Sequence, residues 1–212
     1  SPPLVVDPVM GASSGDPLLR ASAIQAYREW IFPLATLVTP NLDELRILSG
    51  MPCRDIKEIQ SAGASLVDRY GCAFLLKGGH LRTKTATDIL ATPTGFEVFS
   101  APFRRNIDAH GTGCTFSAAI ATGLASGLSL SKAVGQAKTY ITLAIENALR
   151  WNKATALDHR IRPCSSLPHS TCYSRRQGRY IDCYEITRPP VSVCSGSWIS
   201  GMQFWEKKRF YQ

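Results

Sequence analysis

The residues with most chemical potential stand in one stretch, Asp108-Ala-His-Gly-Thr-Gly-Cys-Thr-Phe-Ser-Ala-Ala-Ile-Ala121, a glycine-rich turn running into a helix of small residues. Gly111, Thr112 and Gly113 let consecutive N–H groups converge in front of that helix, because glycine adopts dihedrals that side chains resist. The helix start adds its own first-turn N–H groups and the positive end of its dipole. Together these predict an anion hole suited to a phosphate. Cys114 falls in the first turn, where that field is expected to lower a thiol's pKa and make thiolate available near neutral pH. A base beside an anion hole is a layout for phosphoryl transfer. Taken alone, the same stretch also reads as a plain loop followed by a small buried cysteine.

The elements that would position these groups follow from hydrophobic periodicity. Leu4-Val5-Val6 reads as a buried parallel strand ending at Asp7-Pro8. Asp16-Pro17 predicts a helix start, with Leu19, Ala23, Ile24, Tyr27 and Ile31 as one apolar face. Residues 35–39 form the next strand, stopped by Pro40, and Asn41 opens a helix through Leu42, Leu45 and Leu48 that ends at Gly50. Asp55 with Glu58 caps a helix over Ile59, Ala62, Leu66 and Tyr70, closed by Gly71. Residues 72–77 are an apolar strand with Lys77 at its tip, and residues 86–91 and 96–100 flank Pro93-Thr-Gly95 as a hairpin. A helix follows over about 112–127, and Ala133, Ala137, Tyr140, Ile141, Ala144, Ile145 and Ala148 mark a last amphipathic one.

Strands alternating with helices mean an α/β layered domain with a mainly parallel sheet, whose sites gather outside the carboxyl ends of the strands. Asp7, Asn41, Glu44, Lys77 and Cys114 all fall there or one turn into the following helix. Two acids for a metal, a lysine and an anion hole form a kit for handling MgATP. Each has a plainer alternative: Glu44 closes a capping box with Asn41, Lys77 is a solvated strand end, and Asp7 before Pro8 is turn chemistry.

At 212 residues the chain can bury one good core, and an apolar fraction of 44% suits a globular protein. No apolar run approaches a membrane span, and the start lacks the order of a signal peptide, so a cytoplasmic location is expected. Seven cysteines without close pairing speak against a disulfide scaffold. Of the formal net charge of +8, residues from 161 onward carry eight basic against three acidic residues. That segment has four prolines, scattered cysteines and no sustained period, and is expected to be an irregular basic tail (161–212) after a domain spanning 1–160. A zinc site would need closer cysteine pairs. Basic residues beside Tyr173, Tyr180, Trp205 and Tyr211 would permit weak nucleic-acid contact, but a solvated tail is the simpler expectation, and neither nucleic acid nor membrane is expected as a partner.

Several stretches resemble the ribokinase-like hydroxymethylpyrimidine and phosphomethylpyrimidine kinases of thiamine biosynthesis. They are Val5-Val-Asp-Pro-Val-Met10 with Ser14-Gly-Asp16, Val38-Thr-Pro-Asn-Leu-Asp-Glu44, Leu76-Lys-Gly-Gly-His80, His110-Gly-Thr-Gly-Cys-Thr115 with Ser117-Ala-Ala-Ile120, and Ala137-Lys-Thr-Tyr140. They occur in family order over about residues 3–150; cysteine after Gly-Thr-Gly is also similar to pyridoxal kinases. The resemblance implies ATP-dependent phosphorylation of 4-amino-5-hydroxymethyl-2-methylpyrimidine and then of its monophosphate. It implies Cys114 as base, the Gly111–Gly113 amides around the transferring group, and Asp7 and Glu44 on the Mg²⁺ side. Asp7, Asn41, Lys77 and Lys138 would lie near the nucleotide phosphates, although Lys138 also reads as a solvated helix face.

The family's glycine-rich first segment and early strands have no counterpart here, so the sheet is expected to be incomplete at its N-terminal side, with much of the acceptor pocket missing. An uncovered sheet edge would invite a partner, making a homodimer a candidate. The alternatives are a non-catalytic remnant that binds nucleotide or a partner chain, and a pyridoxal kinase.

Overall fold

Three short apolar runs form the centre of the molecule: β1 (Val5–Val6), β2 (Leu37–Val38) and β3 (Ala73–Lys77). They pair in parallel, Val5 beside Leu37 beside Ala73 and Val6 beside Val38 beside Phe74. A hairpin of β4 (Thr85–Thr92) and β5 (Gly95–Pro102) then adds antiparallel, giving a five-stranded sheet in the order β1-β2-β3-β4-β5. The sheet is therefore mixed: parallel from β1 to β3, where crossover helices connect the strands, and antiparallel from β3 through the β4–β5 hairpin. The computed structural model describes residues 2–11, 18–78, 85–103, 111–151, 154–159, 171–174, 179–182 and 192–194.

Side chains alternate across a strand, so each strand feeds two cores. Val6, Val38, Phe74, Leu76, Ile89 and Ala91 meet one helical layer, made of α1 (Ala21–Ala26), α2 (Leu42–Ser49) and α3 (Ile56–Tyr70). Leu37, Ala73, Leu75 and Leu90 meet the other, made of α4 (Thr112–Ala125) and α5 (Leu130–Glu146). Gly63 brings α3 close to the sheet, since a Cβ there would come within 2.6 Å of Leu76 Cδ1.

The first helix departs from the expected one. It begins at Ala21, after an Arg20 that supplies no side-chain cap, while Asp16 and Pro17 lie outside the described residues. From Tyr27 to Ile31 it widens into a π turn, with the Phe32 N–H bonding the Tyr27 carbonyl. The extra residue per turn carries the apolar face on by one position. Phe32 is thus fully buried, edge-on to Tyr70 and Phe74, while Ile31, expected on that face, is 37% exposed.

The chain divides into two units, Ser1–Leu157 and Asp158–Gln212. The first ends in a small antiparallel pair, β6 (Leu149–Trp151) with β7 (Ala154–Ala156). In the second, β8 (Thr171–Ser174) pairs antiparallel with both β9 (Arg179–Asp182) and β10 (Ser192–Cys194). Within residues 161–212, expected as an irregular tail, these described segments are short strands: runs such as Thr-Cys-Tyr-Ser and Ser-Val-Cys carry β-favouring side chains that a search for longer periods passes over. Among the described residues no helix is long and apolar enough to cross a membrane, and Cys53, Cys72 and Cys114 are outside any disulfide.

Candidate active site at the carboxyl edge of the sheet

The period of two that turns Val5, Leu37 and Leu75 toward α4 and α5 places Asp7, Thr39 and Lys77 on that same face as the strands run out. Lys77 Nζ lies 2.8 Å from Asp7 Oδ1. The Thr39 hydroxyl donates to the same oxygen at 3.2 Å, and Thr39 Oγ1 is 2.8 Å from Ser117 Oγ on α4. Ser117 in turn donates to the Gly113 carbonyl at 3.0 Å. A line of polar contacts thus runs from β1 through β2 into the first turn of α4.

That first turn is shaped by its glycines. Gly111 is the N-cap with φ +83, a left-handed conformation, and no side chain caps the helix. Gly113 matters for space: a Cβ there would stand 3.1 Å from Lys77 Nζ. The absence of a side chain lets the Lys77 ammonium rest against the start of α4, where dipole and first-turn amides already favour an anion. Cys114, one residue on, is exposed, and the Asp7 carboxylate bears on its thiol.

This geometry corrects the expected thiol chemistry. Partial burial and the hydrogen bond and negative charge of Asp7 push the Cys114 pKa up, and Lys77 offsets this only in part. A rule built on the helix alone omits the carboxylate that another strand brings to the sulfur.

Asn41 and Glu44 form a capping box. Asn41 Oδ1 accepts from the Asp43 and Glu44 N–H groups, each at 2.9 Å, and Glu44 Oε2 accepts from the Asn41 N–H at 2.8 Å. Glu44 Oε1 reaches further, accepting from the Met10 N–H at 3.3 Å and so tying the segment after β1 to α2. Glu44 is only 4% exposed; burial raises its pKa, the Asn41 amide counters this, and the Asp7 charge adds to the rise. The structure therefore brings Asp7, Lys77, Gly111, Thr112, Gly113 and Cys114 together, with Asn41 and Glu44 on the adjacent helix start.

Lys138 is different. Its Nζ lies 2.7 Å from Asp88 Oδ2 and 2.9 Å from the Ala86 carbonyl, so the ammonium anchors α5 to β4. A helical lysine fifty residues from its acid gives no local sign of that partner.

Three residues of this site escaped the sequence reading. Thr39 and Ser117 lie within quoted motifs but had no assigned role, and Asp88 was one residue of a hairpin strand. The available signal was an acid directly before the apolar run Ile89-Leu90-Ala91, where a carboxylate calls for a partner. Residues 79–84 and 104–110, with His80 and His110, lie outside the described set.

A three-layer α/β domain with a lysine and glycine amides at a helix start, beside a thiol and two carboxylates, defines a candidate phosphotransferase. The family model for phosphomethylpyrimidine kinase matches residues 1–157, and the chain belongs to that family. The hydroxymethylpyrimidine/phosphomethylpyrimidine kinase of Rhizobium meliloti is 44% identical over 147 residues, covering 69% of this chain and 55% of the relative. The corresponding kinase of Mycobacterium leprae is 41% identical over 152 residues, 69% of this chain and 54% of its own length. Among solved structures, the pyridoxal kinase from Staphylococcus aureus in complex with ADP superimposes with a TM-score of 0.68 at 32% identity, covering 74% of this chain and 58% of that one. A phosphomethylpyrimidine kinase from Clostridium difficile 630 gives 0.58 at 35% identity, with coverages of 68% and 58%. The chain thus spans about half the length of these curated relatives.

Proposed function

We propose that the chain carries the ATP side of a hydroxymethylpyrimidine/phosphomethylpyrimidine kinase, a phosphotransferase of thiamine biosynthesis. The observation that carries this reading is the Lys77 ammonium seated against Gly113 at the start of α4, with Cys114 and Asp7 beside it. Lys77 and the first-turn amides of Thr112 and Gly113 would take the negative charge of the transferring phosphoryl group. Catalysis of this kind is mostly positioning and charge stabilisation.

Cys114 acts as base in this scheme, and its raised pKa shapes how. A thiol that keeps its proton can accept another only by passing its own on. The acceptor's hydroxyl proton moves to Sγ as the Sγ–H proton moves to the Asp7 carboxylate. The acceptor oxygen bonds phosphorus and ADP leaves, so charge is conserved without a standing thiolate.

Mg²⁺ fits the residues as an ion held largely by nucleotide phosphates and water, the usual mode for that cation. Asp7 and Glu44 supply carboxylate charge at that edge, but both Glu44 oxygens already accept main-chain N–H groups, and among the described residues no set of three metal-binding side chains gathers. When bound, the ion would neutralise phosphate charge. The similar pyridoxal kinase from Staphylococcus aureus in complex with AMP-PCP and pyridoxal favours a second reading in which pyridoxal is the acceptor. Nucleotide binding without turnover is the third.

ADP formation by the purified chain, with MgATP and hydroxymethylpyrimidine, its monophosphate or pyridoxal in turn, tests all three. Turnover with a pyrimidine acceptor that falls at least about 100-fold in Cys114→Ala supports the first. Turnover with pyridoxal alone supports the second. ATP binding without turnover leaves the third, and undiminished turnover in the alanine variant removes Cys114 as base.

A further inference from the structure

Asp88 is 4% exposed in β4, directly opposite Lys77 on β3, so both side chains rise from the same face of the sheet. Its two oxygens do different work. Oδ2 faces Lys138 Nζ at 2.7 Å, while Oδ1 accepts the N–H of Gly78, the residue immediately after Lys77, at 3.1 Å. On the other side of Lys77, its own N–H donates to the Pro40 carbonyl at 2.9 Å. The peptide units before and after the lysine are therefore both held.

A buried ion pair adds little net stability, because stripping two charges of water costs about what their attraction returns. An apolar pair would join α5 to β4 equally well. What it could not do is accept the Gly78 N–H.

We infer that Asp88 is a positioning residue: it fixes the peptide after Lys77, and thereby where the Lys77 ammonium stands against α4, while Lys138 holds its carboxylate in place. The inference rests on the reading of Lys77 as a phosphate contact and extends it.

The test removes the buried charges in two ways. Asp88→Asn with Lys138→Met keeps an acceptor for Gly78, whereas Asp88→Leu with Lys138→Met does not. Asp88→Val in the same background serves if leucine does not pack. Two readouts are taken on folded protein: hydrogen exchange of the Gly78 amide and affinity for ATP. The leucine double variant is expected to exchange Gly78 at least about tenfold faster and to bind ATP roughly tenfold more weakly, the loss of one buried acceptor. The asparagine double variant stays within about threefold of the parent on both. Equal protection of Gly78 and equal affinity in the two variants would overturn the inference. If the parent chain itself does not bind ATP, the kinase reading fails, and the Gly78 exchange alone decides whether Asp88 holds that peptide.

Discussion

Asp7 serves three neighbours at once: it pairs with Lys77, accepts from Thr39 and bears on the Cys114 thiol. Its negative charge raises the thiol pKa, so Asp7→Asn, which keeps an acceptor oxygen but removes the charge, is expected to lower it. The pH profile of iodoacetamide alkylation at Cys114 is expected to move to lower pH in that variant. An unmoved midpoint would mean that Asp7 does not govern the sulfur. Gly113 permits a second prediction at this scale. Alanine there suits a helix, so the melting temperature should hold, but its Cβ would meet Lys77 Nζ at 3.1 Å and displace it. Gly113→Ala should keep the fold and weaken nucleotide binding severalfold, which calorimetric titration with ADP would measure.

At the scale of elements, the strands aim and the helix starts receive. The alternation that buries Leu37 and Leu75 delivers Asp7, Thr39 and Lys77 to one face, and the place of Asp7 and Lys77 at strand ends was legible, because a strand's apolar run and its end are local facts. The capping box was legible for the same reason: Asn41 and Glu44 stand three apart, the spacing at which one side chain meets the other's amide. Thr39 and Ser117 are 78 residues apart, and Asp88 and Lys138 are 50 apart, so those contacts exist only once the layers have packed. The π turn was hidden too, since Ile31 and Phe32 are equally apolar and only packing selects which turns inward. Glu44 also links the loop at Met10 to α2, beyond its cap. Glu44→Ala should therefore cost about 1–3 kcal/mol in urea unfolding, an effect at the upper range for a lost cap because the Met10 amide loses its acceptor as well. A cost near zero would show that water replaces the carboxylate at both amides.

For the whole molecule, one sheet with a helical layer on each face separates two tasks. The α1–α3 side holds the aromatic core around Phe32, and on the α4–α5 side Lys77 meets the start of α4 at Gly113. The family match covers residues 1–157, and the chain spans about half the length of its curated relatives. A ligand that binds only the folded state raises its melting temperature by mass action, by an amount set by concentration over Kd.

The most direct measurement is calorimetric titration of ATP into the chain and into its Lys77→Met variant, each first shown to be folded. The account predicts binding by the parent chain and an affinity at least about tenfold lower without the ammonium, the scale of one charge-assisted phosphate contact. Equal affinities would contradict it, because the phosphate would then have to sit somewhere other than the cleft between Lys77 and the start of α4.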